Sequence, residues 1–184
     1  RTWVRLVLFS IGFFFFVIGL SRPQIGAKLK EHETKGAEIM IVLDVSNSML
    51  AEDYSPNRLE RAKLAISRLV DKLRDDRIGL IVFAGNSFVQ LPITTDYVSA
   101  KMFLNSISTG SVPVQGTAIG DAINTAMRSF SVQSEKSRAI IIITDGENHE
   151  DDPVAAAKTA AELGVRVFTI GVGSPEGKPI PMDG

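Results

Sequence analysis

Five side chains with oxygen donors lie in three short segments, and their types and spacing suit a metal ion. Asp44, Ser46 and Ser48 form the pattern D-x-S-x-S directly after an apolar run, so these alternate side chains can converge on one point. Thr117 follows a glycine at the start of a predicted helix, and Asp145 follows a second apolar run. All the donors are oxygens, which hard cations such as Mg²⁺ prefer. The pattern predicts a divalent-cation site.

Each of these residues also has a structural explanation when it is considered alone. An aspartate after a strand often caps a helix or a turn, and an isolated serine or threonine in a loop often bonds to the backbone. The prediction of a metal site therefore depends on the three segments together rather than on any one residue.

Apolar runs with the character of buried β-strands precede the candidate ligands. A continuous apolar run is typical of a strand covered on both faces of a parallel sheet. Four segments have this pattern: Glu38 to Asp44, Ile78 to Phe83, Ala139 to Thr144 and Val165 to Ile170. A fifth segment, Phe88 to Ile93, is predicted to be a short antiparallel edge strand.

Helical periodicity separates these runs. The predicted helices begin with Ser55-Pro56 as N-cap and first helical residue, after Thr95-Asp96, at Ile119, and at Asp152-Pro153, where Gly164 is the stop signal. Alternating strands and helices predict an α/β fold of the Rossmann-like kind, with a doubly wound, mostly parallel sheet and helices on both faces. Such sheets bind ligands at the carboxyl ends of their strands, beside a topological switch point.

The N-terminal segment is the most apolar part of the sequence. No charged residue occurs from Leu6 to Ser21, and with its flanks this run is long enough to span a bilayer. A signal peptide or a buried core helix fits less well, because the run lacks a clean cleavage site and a polar face. We predict a transmembrane helix over residues 3–21, a linker over 22–35 and one domain over 36–184. Because the chain begins with Arg1 rather than Met, we expect residues upstream of it.

Composition excludes several classes of site and partner. The chain has 20 Lys and Arg against 21 Asp and Glu, a formal net charge of −1, which argues against nucleic-acid binding. It has no cysteine, which excludes thiolate chemistry, cysteine-ligated zinc and iron–sulfur clusters. A site that uses only carboxylates and hydroxyls agrees with both exclusions.

The three segments that carry the candidate ligands resemble, in this order along the chain, the metal-ion-dependent adhesion site of the von Willebrand factor A (VWA) domain family. All five ligand positions match. The resemblance implies that Ser46, Ser48 and Thr117 contact the metal directly or nearly so, and that Asp44 and Asp145 act directly or through water. It also implies a VWA domain, truncated at its C-terminus, and a protein partner whose carboxylate completes the coordination.

A narrower resemblance is to the bacterial aerotolerance (Bat-type) membrane proteins of the BatA and BatB group. The segments that carry it are Ser21 to Gln24, Val45 to Met49, Arg77 to Gly85, Leu91 to Asp96 and Gly171 to Gly177. It implies a second transmembrane helix after the domain, and a link to other Bat-type proteins and to a MoxR-type AAA+ ATPase. It also implies a place in the bacterial cytoplasmic membrane with the domain on the periplasmic side, which the basic N-terminal flank favours too.

Missing groups favour binding over catalysis. A phosphate-transfer enzyme of the haloacid dehalogenase type needs a second aspartate where Ser46 stands, and a serine triad needs a histidine base. The histidines are His32, in the linker, and His149, interpreted as an exposed loop residue. We therefore predict a non-enzymatic interaction module in which Mg²⁺ captures an acidic side chain of a protein partner. A metal-dependent phosphohydrolase and a purely structural cation are the alternatives.

An acidic cluster follows the fourth apolar run. Its members are Glu147, Glu150, Asp151 and Asp152. A second cation site is one explanation, but we favour charges that stabilise the N-terminus of a helix.

Overall fold

The computed structural model describes residues 1–20, 36–131, 136–146, 151–174 and 180. The chain divides into two compact units, Arg1–Thr34 and Lys35–Gly184. All the candidate ligands lie in the second unit.

The first unit contains helix α1, Thr2–Leu20. Its side chains are exposed as far as they are described, to Phe16, and include Trp3 and Phe9. Within the described residues, no helix is both long and apolar enough to cross a membrane. A helix therefore lies where the sequence predicts one, whereas its transmembrane role over residues 3–21 stays a prediction.

Five strands form one sheet in the second unit. They are β1 (Glu38–Asp44), β2 (Arg77–Phe83), β3 (Ser87–Thr94), β4 (Arg138–Thr144) and β5 (Val165–Gly171). Their order is β3-β2-β1-β4-β5, with β3 antiparallel to β2 and the other neighbours parallel. The predictions of a mostly parallel sheet and of an antiparallel edge strand are confirmed.

Helices cover both faces of this sheet. They are α2 (Arg58–Val70), α3 (Tyr97–Ser106), α4 (Ile119–Ser129) and α5 (Pro153–Glu162), with short 3-10 helices at Asn47–Leu50 and Thr109–Ser111. The apolar residues of α2 and α3 pack with one set of strand side chains, and those of α4 and α5 pack with the other set. The predicted doubly wound α/β fold is therefore confirmed.

Strand β1 lies at the centre of the sheet and carries the first candidate ligand at its end. Met40 and Val42 face the cluster that includes α4 and α5, whereas Ile41 and Leu43 face α2 and α3. All four side chains are buried, as expected for a strand covered on both faces. Parallel pairing of β1 with β2 on one side and β4 on the other places Asp44 at the end of the strand.

Helix α2 begins two residues later than the sequence predicts. The prediction of Ser55 as its N-cap and Pro56 as its first residue is wrong. Asn57 has an extended backbone, and its side-chain oxygen accepts a hydrogen bond from the Glu60 amide at 2.8 Å. Asparagine caps a helix as well as serine does, and Asn57 is the residue next to the amphipathic stretch.

The other predicted helix signals agree with the structure. Asp96 caps α3, where its carboxylate accepts hydrogen bonds from the amides of Val98 and Ser99. Asp152 caps α5 in the same way. Gly164 follows the end of α5 with a φ of +75°, a conformation that glycine adopts without strain.

Replacing Asn57 with alanine is expected to lower the free energy of unfolding by about 1 kcal/mol, because the Glu60 amide loses its side-chain acceptor. Urea denaturation of the wild type and the variant measures this loss. Asn124→Ala is the matched control, since Asn124 is exposed inside α4 and alanine favours a helix interior. Equal losses in both variants would show that the Asn57 cap contributes nothing specific.

Candidate metal-binding site

The candidate ligands lie at the carboxyl edge of the sheet, where β1 and β4 are neighbours. The chain passes from β1 to β2 on one side, while β4 lies on the other side, so this is a topological switch point. Asp44 ends β1, Thr144 ends β4, and Asp145 follows directly. The fold therefore places the two predicted carboxylates at adjacent strand ends.

Asp44 is fully buried, and both of its carboxylate oxygens accept hydrogen bonds. The Ser46 amide donates to Oδ1 at 2.9 Å, and the Thr144 hydroxyl donates to Oδ2 at 2.7 Å. Thr144 is not among the predicted ligands. Its position directly before Asp145, at the end of a predicted strand, is a signal by which the sequence could have identified it as a site residue. These bonds fix the plane of the Asp44 carboxylate at the end of β1.

The hydroxyls of Ser46 and Ser48 lie side by side, with their oxygens 2.9 Å apart. The 3-10 helix Asn47–Leu50 makes this approach possible, because its tight turn brings Ser48 back toward Ser46. In an octahedral Mg²⁺ site with metal–oxygen distances of about 2.1 Å, neighbouring ligand oxygens are about 3.0 Å apart. The serine pair therefore has the spacing of two adjacent ligands of a hard cation.

Thr117 is buried in a loop that is held against the ends of β1 and β2. The Ala118 amide donates to the Ala84 carbonyl, directly after β2, at 2.8 Å. The Asn47 amide donates to Gln115 Oε1 at 3.1 Å, which joins this loop to the D-x-S-x-S segment. The Thr117 loop is therefore tied to the segment that carries the serine pair.

Asp145 has a buried side chain that is paired with an arginine the sequence does not single out. Arg58 Nη1 donates to Asp145 Oδ2 at 3.0 Å, while its Nε and Nη2 donate to the Asp53 carboxylate at 2.9 to 3.1 Å. The exposed fractions of the Asp145 and Asp53 side chains are 2% and 1%. Arg58 begins a helix, and no local pattern in the sequence links it to Asp145.

Charge at the site favours a divalent cation. Asp44, Asp53, Asp145 and Arg58 contribute three carboxylates and one guanidinium, which leave a formal charge of −2 when all are ionised. Burial raises the pKa of Asp44 above its usual value, and the nearby charge of Asp145 adds to this, while hydrogen bonds from Ser46 and Thr144 oppose it. A bound divalent cation would balance the charge and favour the ionised form of Asp44.

The donor set depends on hydroxyl oxygens. Within the described part of the chain, no group of three or more histidine, cysteine, aspartate or glutamate side chains is arranged to hold a metal. Two aspartates with serine and threonine hydroxyls instead form an incompletely charged oxygen set, which fits Mg²⁺ because this ion keeps several waters. Of the predicted ligands, Asp44, Ser46 and Ser48 are joined by hydrogen bonds.

The acidic cluster after β4 is described in part. Asp152 caps α5, and Asp151 accepts a hydrogen bond at 2.7 Å from the amide of Asp121 in the first turn of α4. The interpretation as charges at helix N-termini is confirmed for these two residues. Glu147, His149 and Glu150 lie outside the described residues.

The ion pair of Asp53 with Arg58 predicts a pH dependence of stability. Hydrogen bonds from Arg58 lower the pKa of Asp53 to about 2, from 3.8 for an ordinary aspartate. Because the folded-state pKa is the lower one, the ionised carboxylate stabilises the fold above pH 3.8, and this stabilisation is lost as the pH falls toward 2. Asp53→Asn is therefore expected to lower the free energy of unfolding at pH 7 and to matter progressively less below pH 3.8.

Urea denaturation of the wild type and Asp53→Asn between pH 7 and 2 measures this change. Asp75→Asn is the matched control, because Asp75 is exposed at the opposite end of the sheet, before β2. A stability difference for Asp53→Asn that stays constant over this pH range would contradict the prediction.

Comparison with known families agrees with the fold. The family model of the von Willebrand factor type A domain matches residues 38–180, so the chain belongs to the VWA domain family. Among solved structures, it is similar to the conserved hypothetical protein BatB from Bacteroides thetaiotaomicron, with 63% identity over 81% of this chain and 73% of that chain and a TM-score of 0.78. It is also similar to an aerotolerance-related membrane protein from Bacteroides fragilis, with 60% identity, coverage of 81% and 74% and a TM-score of 0.78.

More distant matches show the fold alone or cover only part of the relative. Proximal thread matrix protein 1 from the mussel byssus is 23% identical over 76% of this chain and 36% of that chain, with a TM-score of 0.66. Its structure has a zinc-occupied MIDAS (metal-ion-dependent adhesion site) motif. The chain spans about half the length of the curated relatives it matches. One from Borreliella burgdorferi is 34% identical over 163 residues, which are 87% of this chain and 48% of that protein.

Proposed function

We propose that this VWA domain binds Mg²⁺ through Asp44, Ser46, Ser48, Thr117 and Asp145, and that the bound ion captures an acidic side chain of a protein partner. The observation that carries the proposal is the pair of serine hydroxyls 2.9 Å apart beside a fully buried carboxylate. These residues hold the ion directly or through water, and a partner carboxylate takes the place of one of the waters that the ion keeps.

Binding rather than catalysis suits the groups at this site. Ser46 stands where a phosphate-transfer enzyme of the haloacid dehalogenase type needs its second aspartate. A serine hydroxyl does not act as a general acid or base at neutral pH. The domain is therefore proposed to act as a non-enzymatic interaction module.

The N-terminal helix and the Bacteroides relatives support a proposal for the cellular setting. The described side chains of helix α1 are mostly apolar, and the Bacteroides fragilis relative is an aerotolerance-related membrane protein. Residues 3–21 are therefore proposed to anchor the domain in the bacterial cytoplasmic membrane, with the domain on the periplasmic side. The proposed partners are other Bat-type proteins and a MoxR-type AAA+ ATPase, in a stress-tolerance or membrane-complex assembly system.

Two measurements test the function. Calorimetric titration of the chain with Mg²⁺ is expected to give a saturable heat that Asp44→Ala removes. Capture of partners from a membrane extract is expected to need Mg²⁺, and to fail both in EDTA and with Asp44→Ala. Asp75→Ala is the matched control and is expected to behave as the wild type, because Asp75 is exposed and distant along the sheet.

Each alternative function gives a different result in these experiments. Capture that is unchanged by EDTA and by Asp44→Ala would overturn the proposal. If chelation lowers the melting temperature without affecting capture, the cation is purely structural. Hydrolysis of a generic phosphate ester that depends on Asp44 would identify a metal-dependent phosphohydrolase instead.

A further inference from the structure

Arg58 occupies a buried position between the candidate metal site and another acidic residue. Its guanidinium donates to both oxygens of Asp53 and to Oδ2 of Asp145. The exposed fraction of the Arg58 side chain is 11%, so the fork is held largely out of water. A planar fork with several bonds has little freedom to turn, so a shift of either carboxylate is transmitted to the other.

The same ion pair also holds the segment that follows β5, Val172–Ser174. The Ser174 amide donates to Asp53 Oδ2 at 2.6 Å, and the Val172 amide donates to the Thr144 carbonyl at 2.9 Å. Gly173 has a φ of +156°, and a Cβ built on it would lie 3.3 Å from Cζ and Nη2 of Arg58. The backbone of this segment therefore packs directly against the guanidinium.

We propose that Arg58 is a positioning residue that couples the occupancy of the cation site to the conformation of Val172–Ser174. This inference rests on the proposed function, because it concerns the same site. A cation that holds Asp145 also holds the Arg58 fork, and through Asp53 it orders the Ser174 amide. The coupling is reciprocal. The factor by which the cation shifts the conformational equilibrium of Val172–Ser174 is also the factor by which that conformational change alters cation affinity.

The charge of Asp53 makes this arrangement compatible with a cation. An unpaired arginine beside Asp145 would repel Mg²⁺, but Asp53 pairs with Arg58 through both carboxylate oxygens and offsets its charge. Arg58 therefore acts on Asp145 chiefly as a directed hydrogen-bond donor. This argues that its role is to orient the carboxylate rather than to replace the metal.

Hydrogen exchange and calorimetry on the full chain in detergent micelles test the coupling. Saturating Mg²⁺ is expected to slow amide exchange in the peptide that contains Val172–Ser174 by about tenfold in the wild type. Arg58→Lys keeps the charge but loses the fork, so Mg²⁺ should still bind while its effect on exchange falls below about twofold. Arg61→Lys, an exposed arginine on the same helix, is the control and should retain the full effect.

A second variant approaches the coupling from the other end. Gly173→Ala brings a methyl group against Arg58 without removing a ligand or a charge, and it is expected to weaken Mg²⁺ binding about threefold to tenfold. Gly164→Ala is the matched control, since its φ is also positive but no atom lies near the added methyl group. It is expected to leave Mg²⁺ affinity unchanged.

The outcomes separate this inference from the proposed function. If Mg²⁺ gives no binding heat with the wild type, the proposed function fails and the inference fails with it. If Mg²⁺ binds but does not change exchange in Val172–Ser174, or if Arg58→Lys keeps the full effect, the inference alone is overturned. Melting curves show whether each variant is folded. If Arg58→Lys is unfolded, the Mg²⁺ affinity of Gly173→Ala tests the coupling instead.

Discussion

Replacing Asp44 with asparagine is expected to weaken Mg²⁺ binding more than about 100-fold and to leave the metal-free domain at least as stable as the wild type. Loss of a residue that only orients a metal ligand costs 10-fold to 100-fold in affinity, and loss of the central carboxylate should cost more. The neutral amide keeps an oxygen for the Ser46 amide, and the Thr144 hydroxyl can turn to accept a hydrogen bond from the new NH₂ group. In the absence of a cation, the substitution removes a fully buried negative charge that lies beside Asp145, so it should cost the fold little stability.

The pH dependence of this effect has a defined sign. The pKa of Asp44 is raised in the folded state above 3.8, so ionisation of Asp44 destabilises the metal-free fold as the pH rises through the raised value. The gain in stability from Asp44→Asn should therefore be largest at neutral pH and should disappear below pH 3.8.

Calorimetric titration and thermal denaturation in EDTA measure the two effects separately. Asp75→Asn is the control for removing an exposed carboxylate. Retained Mg²⁺ affinity in Asp44→Asn would contradict the assignment of Asp44 as a ligand. A large loss of metal-free stability would instead show that its charge is needed by the fold itself.

Replacing Arg58 with alanine is expected to lower the free energy of unfolding by about 3 to 5 kcal/mol in the absence of a cation, because two buried carboxylates lose their partner. Mg²⁺ supplies positive charge beside Asp145 but does not replace the fork that orients this carboxylate. Mg²⁺ should therefore raise the stability of Arg58→Ala no more than that of the wild type.

Guanidinium denaturation in EDTA and in Mg²⁺ checks this expectation. The double variant Asp53→Asn with Arg58→Leu should be more stable than Arg58→Ala, because one of the unpaired charges is removed and the volume is refilled. Arg61→Ala is the matched control and should change stability by less than about 0.5 kcal/mol. If Arg58→Ala loses no more than this control, the buried ion pairs do not stabilise the fold.

The central strands could be predicted because their chemistry is local. A continuous apolar run such as Ile39 to Leu43 has no polar face to turn to solvent, so a position between two layers of helices is the way to bury it. The short run from Phe88 to Ile93 was predicted as an edge strand because it follows its predecessor too closely for a crossover helix. The observed antiparallel pairing of β3 with β2 has the same cause.

The positions of the candidate ligands could be predicted because each lies close to the end of a predicted strand or the start of a predicted helix. Asp44 and Asp145 follow apolar runs, and parallel strands bring such residues to one edge of the sheet. The two serines could be predicted because their spacing from Asp44 is short. What the sequence predicts here is a position, and the ligand role of these residues stays a prediction.

The ion pairs at the site could not be predicted, because they join residues that no local pattern connects. Arg58 and Asp145 are 87 positions apart, and the sequence around Arg58 is typical of an ordinary amphipathic helix. The predicted start of α2 is wrong because Ser55 and Asn57 are both good N-cap residues, and the surrounding sequence does not favour one over the other. Such choices depend on tertiary packing, which sequence patterns do not contain.

The separation along the chain of the residues at the candidate site has a consequence for folding. Thr144 and Asp44, which share a hydrogen bond, are 100 residues apart, so the site cannot assemble until β4 has paired with β1. Contacts between distant parts of a chain carry the highest closure entropy and tend to form late. A nascent or partly folded chain would therefore have the serine pair without the second carboxylate, and a cation would be retained only by a completed sheet.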